Sequence, residues 1–154
     1  MRKALLIISC LTFTSSVFAD APKLKSKENY KSDSQQICTK KWTKRGELDH
    51  KMYNYCIKYQ MEGYERVKGL HVYADQYFYS NVAYPYCINK WTKRGLVDTS
   101  MLAYCLENEI EGIQDVMYYR KRYDEAQINK IVDRALSKYG SWNMVAYSVK
   151  QATE

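Results

Sequence analysis

The segment from Cys38 to Gly63 decides the fold of this chain; its sequence is C-T-K-K-W-T-K-R-G-E-L-D-H-K-M-Y-N-Y-C-I-K-Y-Q-M-E-G. A second copy begins 49 residues later, from Cys87 to Gly112, as C-I-N-K-W-T-K-R-G-L-V-D-T-S-M-L-A-Y-C-L-E-N-E-I-E-G. The copies share the frame C-x3-W-T-K-R-G-x2-D-x2-M-x2-Y-C-x6-G. Identities at fixed spacing are typical of tandem duplication, so we predict a repeat protein.

Each copy has the features of an αα-hairpin. Gly46 and Gly95 follow a Lys-Arg pair, a combination that favours a helix C-terminus because cations complement the helix dipole and glycine adopts the left-handed cap. Three residues later, Asp49 and Asp98 are suitable N-caps for a second helix. We therefore predict two antiparallel helices joined by the W-T-K-R-G turn.

The cysteines are placed symmetrically about these turns. Cys38 and Cys56 are nearly equidistant from Gly46, and Cys87 and Cys105 have the same relation to the second turn. Residues equidistant from the turn of an antiparallel hairpin face each other at a separation that a disulfide can bridge. We predict the disulfides Cys38–Cys56 and Cys87–Cys105.

Residues 1–19 have the features of a signal peptide. Arg2 and Lys3 are basic, residues 4–13 form a short apolar run, and a small-residue cleavage site ends at Ala19. The run is too short to remain as a stable membrane span. We expect an exported protein of the periplasm or the cell exterior.

A weaker alternative for the leader is a lipoprotein signal that ends at Cys10, but it would leave almost no apolar region before the cut. Cleavage near Ala19 removes Cys10 and leaves four cysteines. An even number in an exported chain favours disulfides over metal or redox chemistry. We expect neither a metal nor a cofactor.

The lysine-rich segment 20–31 has no helical periodicity, and we expect a flexible basic arm. Ser32 or Asp33 is then a candidate N-cap for the first helix. The apolar spacing predicts a second helix from Asp49 to about Tyr79 and a long helix from Asp98 to about Arg122. Ser80, Asn81 and Pro85 mark a break between them, so we expect the second hairpin to start near Tyr84. Gly63 and Gly112 lie on the apolar stripes of the long helices, where they allow a close helix approach or mark a kink.

The C-terminal segment is interpreted as a degenerate third copy. Ala135 and Ser148 replace the two cysteines, Asp124 begins a helix and Ser141 is a second N-cap. Both cysteine positions are lost together, as pairing within one unit requires. The predicted fold is all-α, with two complete disulfide-linked hairpins, a short third one and about six helices in a single repeat domain, 32–154. Its units are 32–80, 81–123 and 124–154.

Basic residues recur at the turns. The chain has 24 Lys and Arg against 17 Asp and Glu, and loss of the leader's two cations leaves a net charge of about +5. The turns place Lys44, Arg45, Lys93 and Arg94 at equivalent positions, with Lys40, Lys41 and Lys90 one helical turn earlier. Complementing the helix dipole is the simpler explanation. Binding of an anionic envelope polymer is the alternative.

Tyrosine is strongly enriched, with 16 residues. Tyr55 and Tyr104 precede the second cysteine of each copy, and we expect them to pack near the hairpin seam. The connector between the copies has more aromatic residues than packing requires, and these types are enriched at protein interfaces. The candidate protein-binding residues are Tyr73, Tyr77, Phe78, Tyr79, Tyr84 and Tyr86.

The sequence has few candidates for catalysis. His50 and His71 are isolated, and no H-E-x-x-H, G-x-S-x-G or phosphate-loop motif occurs. Glu107, Glu111 and Asp115 fall on one helical face, for which solvation is a simpler explanation than acid–base chemistry.

We expect a non-enzymatic exported protein that binds another protein. Inhibitor, immunity and assembly roles fit equally well. The alternative partner is an anionic envelope polymer, and the sequence does not determine the oligomeric state.

Overall fold

The structure is a computed structural model, and it describes residues 23–154; the predicted signal peptide and Cys10 lie outside this range. The described residues are essentially all-α, as predicted, with six helices. The helices are α1 (Lys27–Trp42), α2 (His50–Tyr73), α3 (76–91), α4 (Thr99–Arg120), α5 (Glu125–Tyr139) and α6 (Trp142–Thr153). Four two-residue strands separate some of them: β1 (Thr43–Lys44), β2 (Glu47–Leu48), β3 (Thr92–Lys93) and β4 (Leu96–Val97).

The first helix begins earlier than predicted. Ser26 is its N-cap, accepting a hydrogen bond from the backbone N–H of Asn29. Lys25, expected in a flexible arm, donates to Asp33 at 2.8 Å. Asp33, expected as a cap, is a buried residue inside α1, and its carboxylate also accepts from the N–H of Val97 at 3.0 Å. The prediction was wrong here because Ser26 and Ser32 are equally suitable N-caps by local sequence. Asp33, the residue after Ser32, is instead bound by Val97, which is distant in sequence.

The W-T-K-R-G turn is a small β-hairpin, which corrects the predicted glycine C-cap. The helices end at Trp42 and Trp91, before the Lys-Arg pairs. Thr43 pairs with Leu48 and Lys44 with Glu47, and the second copy has the same register. Both turn residues have positive φ in each copy (54° and 87° for Arg45 and Gly46), the pattern of a type I′ turn. The Lys-Arg pairs therefore do not complement a helix terminus.

Both predicted disulfides are confirmed. Cys38 bonds Cys56 and Cys87 bonds Cys105, with Cα atoms 5.8 and 5.7 Å apart. Each joins the first helix of a copy to the second. In the chain-entropy account, closing such a loop contributes about 3 kcal/mol.

The connector is helical, so the predicted break lies in the wrong place. α2 ends at Tyr73, and Asp75 caps α3 by accepting from the N–H of Phe78. α3 comprises α-helical Gln76–Phe78, a π-helical turn Tyr79–Ala83 and α-helical Tyr84–Trp91. Pro85 has no N–H to donate. The wider π turn ends at Ala83, two residues before the proline, and the helix continues through the proline.

The predicted aspartate caps are confirmed. Asp49, Asp98 and Asp124 each accept from the backbone N–H three residues later. Gly140 ends α5 in the left-handed conformation (φ 63°), and α6 begins two residues later. Ser141 precedes α6, but its hydroxyl makes no cap bond to that helix.

The second helices of the three units form one layer, in which α2 packs on α4 and α4 on α6. The helices α1, α3 and α5 pack on this layer, each beside the helix that follows it in its unit. One core lies between the first two units, around Tyr30, Val67, Leu102 and Leu106. A second core lies between α4 and the C-terminal segment, around Val116, Val132 and Val145.

A glycine allows each contact within the layer of α2, α4 and α6. A Cβ on Gly63 would lie 2.6 Å from the carbonyl oxygen of Thr99, and one on Gly112 would lie 2.5 Å from the carbonyl carbon of Trp142. In both places the backbone at the start of the next helix of the layer, α4 or α6, rests on the glycine. The structure therefore selects the close approach, rather than a kink, as the role of these residues.

A polar side chain completes each contact, three residues before the glycine. Gln60 accepts from the N–H of Thr99 at 2.8 Å and donates to Asp98 at 2.8 Å. Glu109, 49 residues later, accepts from the N–H of Trp142 at 2.7 Å and from the hydroxyl of Ser141 at 2.5 Å. Both side chains are buried. They satisfy first-turn N–H groups that have no partner inside their own helix. We call the glycine together with this side chain the inter-unit joint.

The joint predicts the effect of an added methyl group. Gly112→Ala should lower the free energy of unfolding by about 1–3 kcal/mol, because backbone rather than a flexible side chain has to move. The measurement is urea unfolding of the oxidised protein, followed by circular dichroism.

Gly69→Ala is the matched control. Gly69 lies in α2 with no atom within 4 Å of an added Cβ, so alanine should stabilise the protein by about 0.5–1 kcal/mol through helix propensity. Equal stability of Gly112→Ala and the native protein would contradict the joint.

Candidate binding surfaces

The connector aromatics are divided between core and surface. Tyr79 and Tyr84 are buried, their rings stacked with centroids 5.5 Å apart. The Tyr84 hydroxyl is 3.3 Å from that of Tyr30. Burial raises the pKa of both the Tyr79 and the Tyr84 phenol above the usual range. Their proposed place on a binding surface is therefore wrong.

The other four connector aromatics reach the surface to different extents. Tyr73 and Tyr77 are highly exposed. Phe78 is partly buried, with its ring edge-on to Trp142 at 5.9 Å. Tyr86 is also partly buried, and the Lys90 ammonium lies 5.3 Å from its ring centroid. The six connector aromatics therefore do not form one exposed surface, but Tyr73 and Tyr77 are accessible to a partner.

A different set of tyrosines is exposed at equivalent positions of α2, α4 and α6. Tyr55, Tyr104 and Tyr147 occupy the tyrosine position of M-x2-Y in α2, α4 and α6, and their exposed fractions are 63%, 58% and 59%. We call these three residues the tyrosine row. The prediction that Tyr55 and Tyr104 pack at the hairpin seam is wrong. Each precedes a seam cysteine by one residue, and one residue turns a helix by about 100°.

A basic cleft separates α1 from the second β-hairpin. It has a volume of about 570 Å³. Four of its lining residues are cations, Lys40 and Lys41 from α1 and Lys93 and Arg94 from the hairpin turn. Its remaining lining residues are Gln36, Ile37, Trp91, Leu96 and Asp98.

The structure separates the two predicted Lys-Arg turns. Lys93 and Arg94 line the basic cleft, whereas Lys44 and Arg45 are exposed and lie outside it. The sequence makes the two turns equivalent. Only the second has a preceding unit against which to pack, and its contact with α1 forms the cleft.

Trp91 lines the basic cleft and also a second cavity, which we call the aromatic groove. This groove has a volume of about 310 Å³. Tyr86, Tyr104 and Tyr139 contribute rings, and Met144 contributes its thioether side chain. One member of the tyrosine row thus borders a concave surface.

The acidic face considered for catalysis is already partly engaged. Arg66 of α2 forms a two-pronged ion pair with Glu107 of α4, including an Nε–Oε1 hydrogen bond of 2.7 Å. This hydrogen bond raises the pKa of Arg66. Glu111 and Asp115 are exposed. Glu107 has a structural role that links the first two units.

Between residues 23 and 154, no three His, Cys, Asp or Glu side chains are grouped so that they could hold a metal ion. No helix in the same range has the length and apolar character to cross a membrane. The chain matches no protein-family model, and no curated protein or solved structure is significantly similar to it.

The buried connector tyrosines give a test of this corrected assignment. The Tyr79 hydroxyl is buried without a hydrogen-bond partner in the described part of the chain. Tyr79→Phe should therefore leave the free energy of unfolding unchanged or raise it by up to about 1 kcal/mol, since it removes a polar group that gains nothing from burial. Chemical denaturation provides the measurement.

Tyr84→Phe is the paired variant. It removes the contact with the Tyr30 hydroxyl and should cost about 0.5–1.5 kcal/mol. A larger loss for Tyr79→Phe than for Tyr84→Phe would mean that this assignment of partners is wrong.

Proposed function

We propose that the chain is an exported, non-enzymatic binding protein that contacts another protein through the tyrosine row. The observation that carries the proposal is the exposure of tyrosine at three equivalent positions on three neighbouring helices. Tyrosine combines a large apolar ring with a hydroxyl, and it is enriched in the energetically dominant part of protein interfaces.

The side chains of the tyrosine row make no evident contribution to the fold of residues 23–154. Tyr55 stacks only on Tyr59, its neighbour one turn along α2, and Tyr59 is exposed as well. Disulfides, caps and inter-unit joints already account for the hairpins and their stacking. Among residues 23–154, nine of the twelve exposed large apolar side chains are tyrosines. A surface with this composition favours recognition, because interfaces are enriched in tyrosine.

Export fits the rest of the chemistry. Two disulfides within one small domain persist most readily in an oxidising compartment. The signal-like sequence of residues 1–19 supports the same location. The periplasm and the cell exterior are both compatible with these features.

Affinity capture tests the proposal. Oxidised protein with a C-terminal tag, incubated with envelope and culture-medium extracts, should retain a specific protein. The triple variant Tyr55→Ala, Tyr104→Ala, Tyr147→Ala should lose it. Truncation of a tyrosine at an interface hot spot costs about 2 kcal/mol or more, so calorimetry with the purified partner should show an affinity loss of about tenfold or more for the triple variant.

The matched control is Tyr73→Ala with Tyr77→Ala, which removes two exposed rings from the connector. It should retain the partner with an affinity close to that of the native protein. Loss of binding in the connector variant alone would move the interface there. Failure of the native protein to retain any protein specifically would contradict the proposed function.

A further inference from the structure

The basic cleft is formed by segments of the first two units that are far apart in sequence. Lys40 and Lys41 belong to the last turn of α1, and Lys93 and Arg94 to a hairpin about fifty residues later. The buried Asp33 holds the two walls together: its carboxylate accepts from Val97 of β4 and from Lys25. Lys25 also donates to the carbonyl of Gly95 at 3.2 Å. The cleft is thus a fixed feature of the packed units.

The charge of the cleft is not balanced from within. Among residues 23–154, no carboxylate lies within salt-bridge distance of Lys40, Lys41, Lys93 or Arg94. Asp98 is the one acidic lining residue. Oδ1 of its carboxylate accepts hydrogen bonds from the Gln60 amide, the Ser100 hydroxyl and the N–H of Met101. A ligand that supplies carboxylates would find four free cations.

Apolar surface lies between these cations. Ile37, Trp91 and Leu96 line the cleft, and all three are partly buried. The indole N–H of Trp91 is buried and has no hydrogen-bond partner in the described part of the chain. An apolar centre with a charged rim is the arrangement by which protein interfaces hold an anchoring side chain.

We infer that the basic cleft binds an acidic segment of a protein, with one apolar side chain between Ile37, Trp91 and Leu96 and flanking carboxylates on Lys40, Lys41, Lys93 and Arg94. The inference rests on the proposed function, since it names the chemistry of the protein partner. The segment adds a second contact region to the tyrosine row.

The composition of the cleft favours a peptide over an anionic polymer. A polysaccharide or polyphosphate has no apolar side chain for the centre of the cleft. A long polyanion also requires a continuous basic track, whereas Lys44 and Arg45 lie outside the cleft. The lining therefore fits a short acidic segment with an apolar anchor.

Fluorescence anisotropy with defined peptides tests the inference. The probes are labelled ten-residue peptides with one central Phe, Leu or Ile flanked by Asp and Glu, mixed with the oxidised protein. At least one peptide should bind. Replacing its acids with Asn and Gln, or its apolar residue with Ser, should each weaken binding by about tenfold, the effect of losing roughly 1.4 kcal/mol. Raising salt should also weaken it.

The two turns supply a matched pair of variants. Lys93→Gln with Arg94→Gln should reduce peptide affinity by about tenfold. Lys44→Gln with Arg45→Gln removes the same charge from the equivalent turn outside the cleft, and it should change affinity by less than about twofold, the effect of exposed and screened charge alone. Equal losses in both variants would overturn the inference in favour of diffuse electrostatic attraction.

Polymer probes separate the remaining outcomes. Polyphosphate or a sulfated polysaccharide that binds more tightly than every peptide, with no sensitivity to Leu96→Ser, would also overturn the inference. Capture of a protein whose affinity is unaffected by Lys93→Gln with Arg94→Gln would overturn the cleft while leaving the proposed function intact. Failure of the native protein to capture any protein contradicts the proposed function. This outcome is distinguishable from failure of the inference, because the peptide titration does not require a captured partner.

Discussion

The inter-unit joint is the interaction on which the rest of the structure depends. A helix begins with N–H groups that have no partner inside the helix, and burying them unpaired is costly. Here a buried Gln60 or Glu109 accepts from such a group at the start of α4 or α6. The neighbouring Gly63 or Gly112 lets the two backbones meet. Hydrogen bonding and close packing thus act at the same place.

The surfaces follow from this arrangement. The helices α2, α4 and α6 pack on one another in a layer. Tyr55, Tyr104 and Tyr147 are exposed on the surface of this layer. The helices α1, α3 and α5 lie beside this layer, with the basic cleft and the aromatic groove between successive units. Trp91 lines both cavities. Both cavities therefore lie where units meet, and an isolated hairpin would lack the cleft.

The sequence predicted much of the framework, because its signals were strong and local. Symmetric cysteines specified both disulfides, and the aspartate caps specified three helix starts. The errors occurred where one local signal fits two structures. Arg45-Gly46 suits a helix cap or a β-turn, and Tyr79 suits a surface or a core. Tertiary contacts decide such cases: Trp42 closes the hairpin by accepting from the N–H of Asp49, and the cleft depends on the distant pair Asp33 and Val97.

Hydrogen exchange by NMR at the backbone amides of Thr99 and Trp142 is the most direct test of the joint. Both amides lie in the first turn of a helix, where exchange is usually fast because the N–H has no helical acceptor. The joint predicts strong protection of both, close to that of amides in the helix interiors, and loss of protection at Trp142 in Glu109→Ala. The amide of Lys51, in the first turn of α2, supplies the comparison. Exchange at Thr99 and Trp142 as fast as at Lys51 would contradict the account.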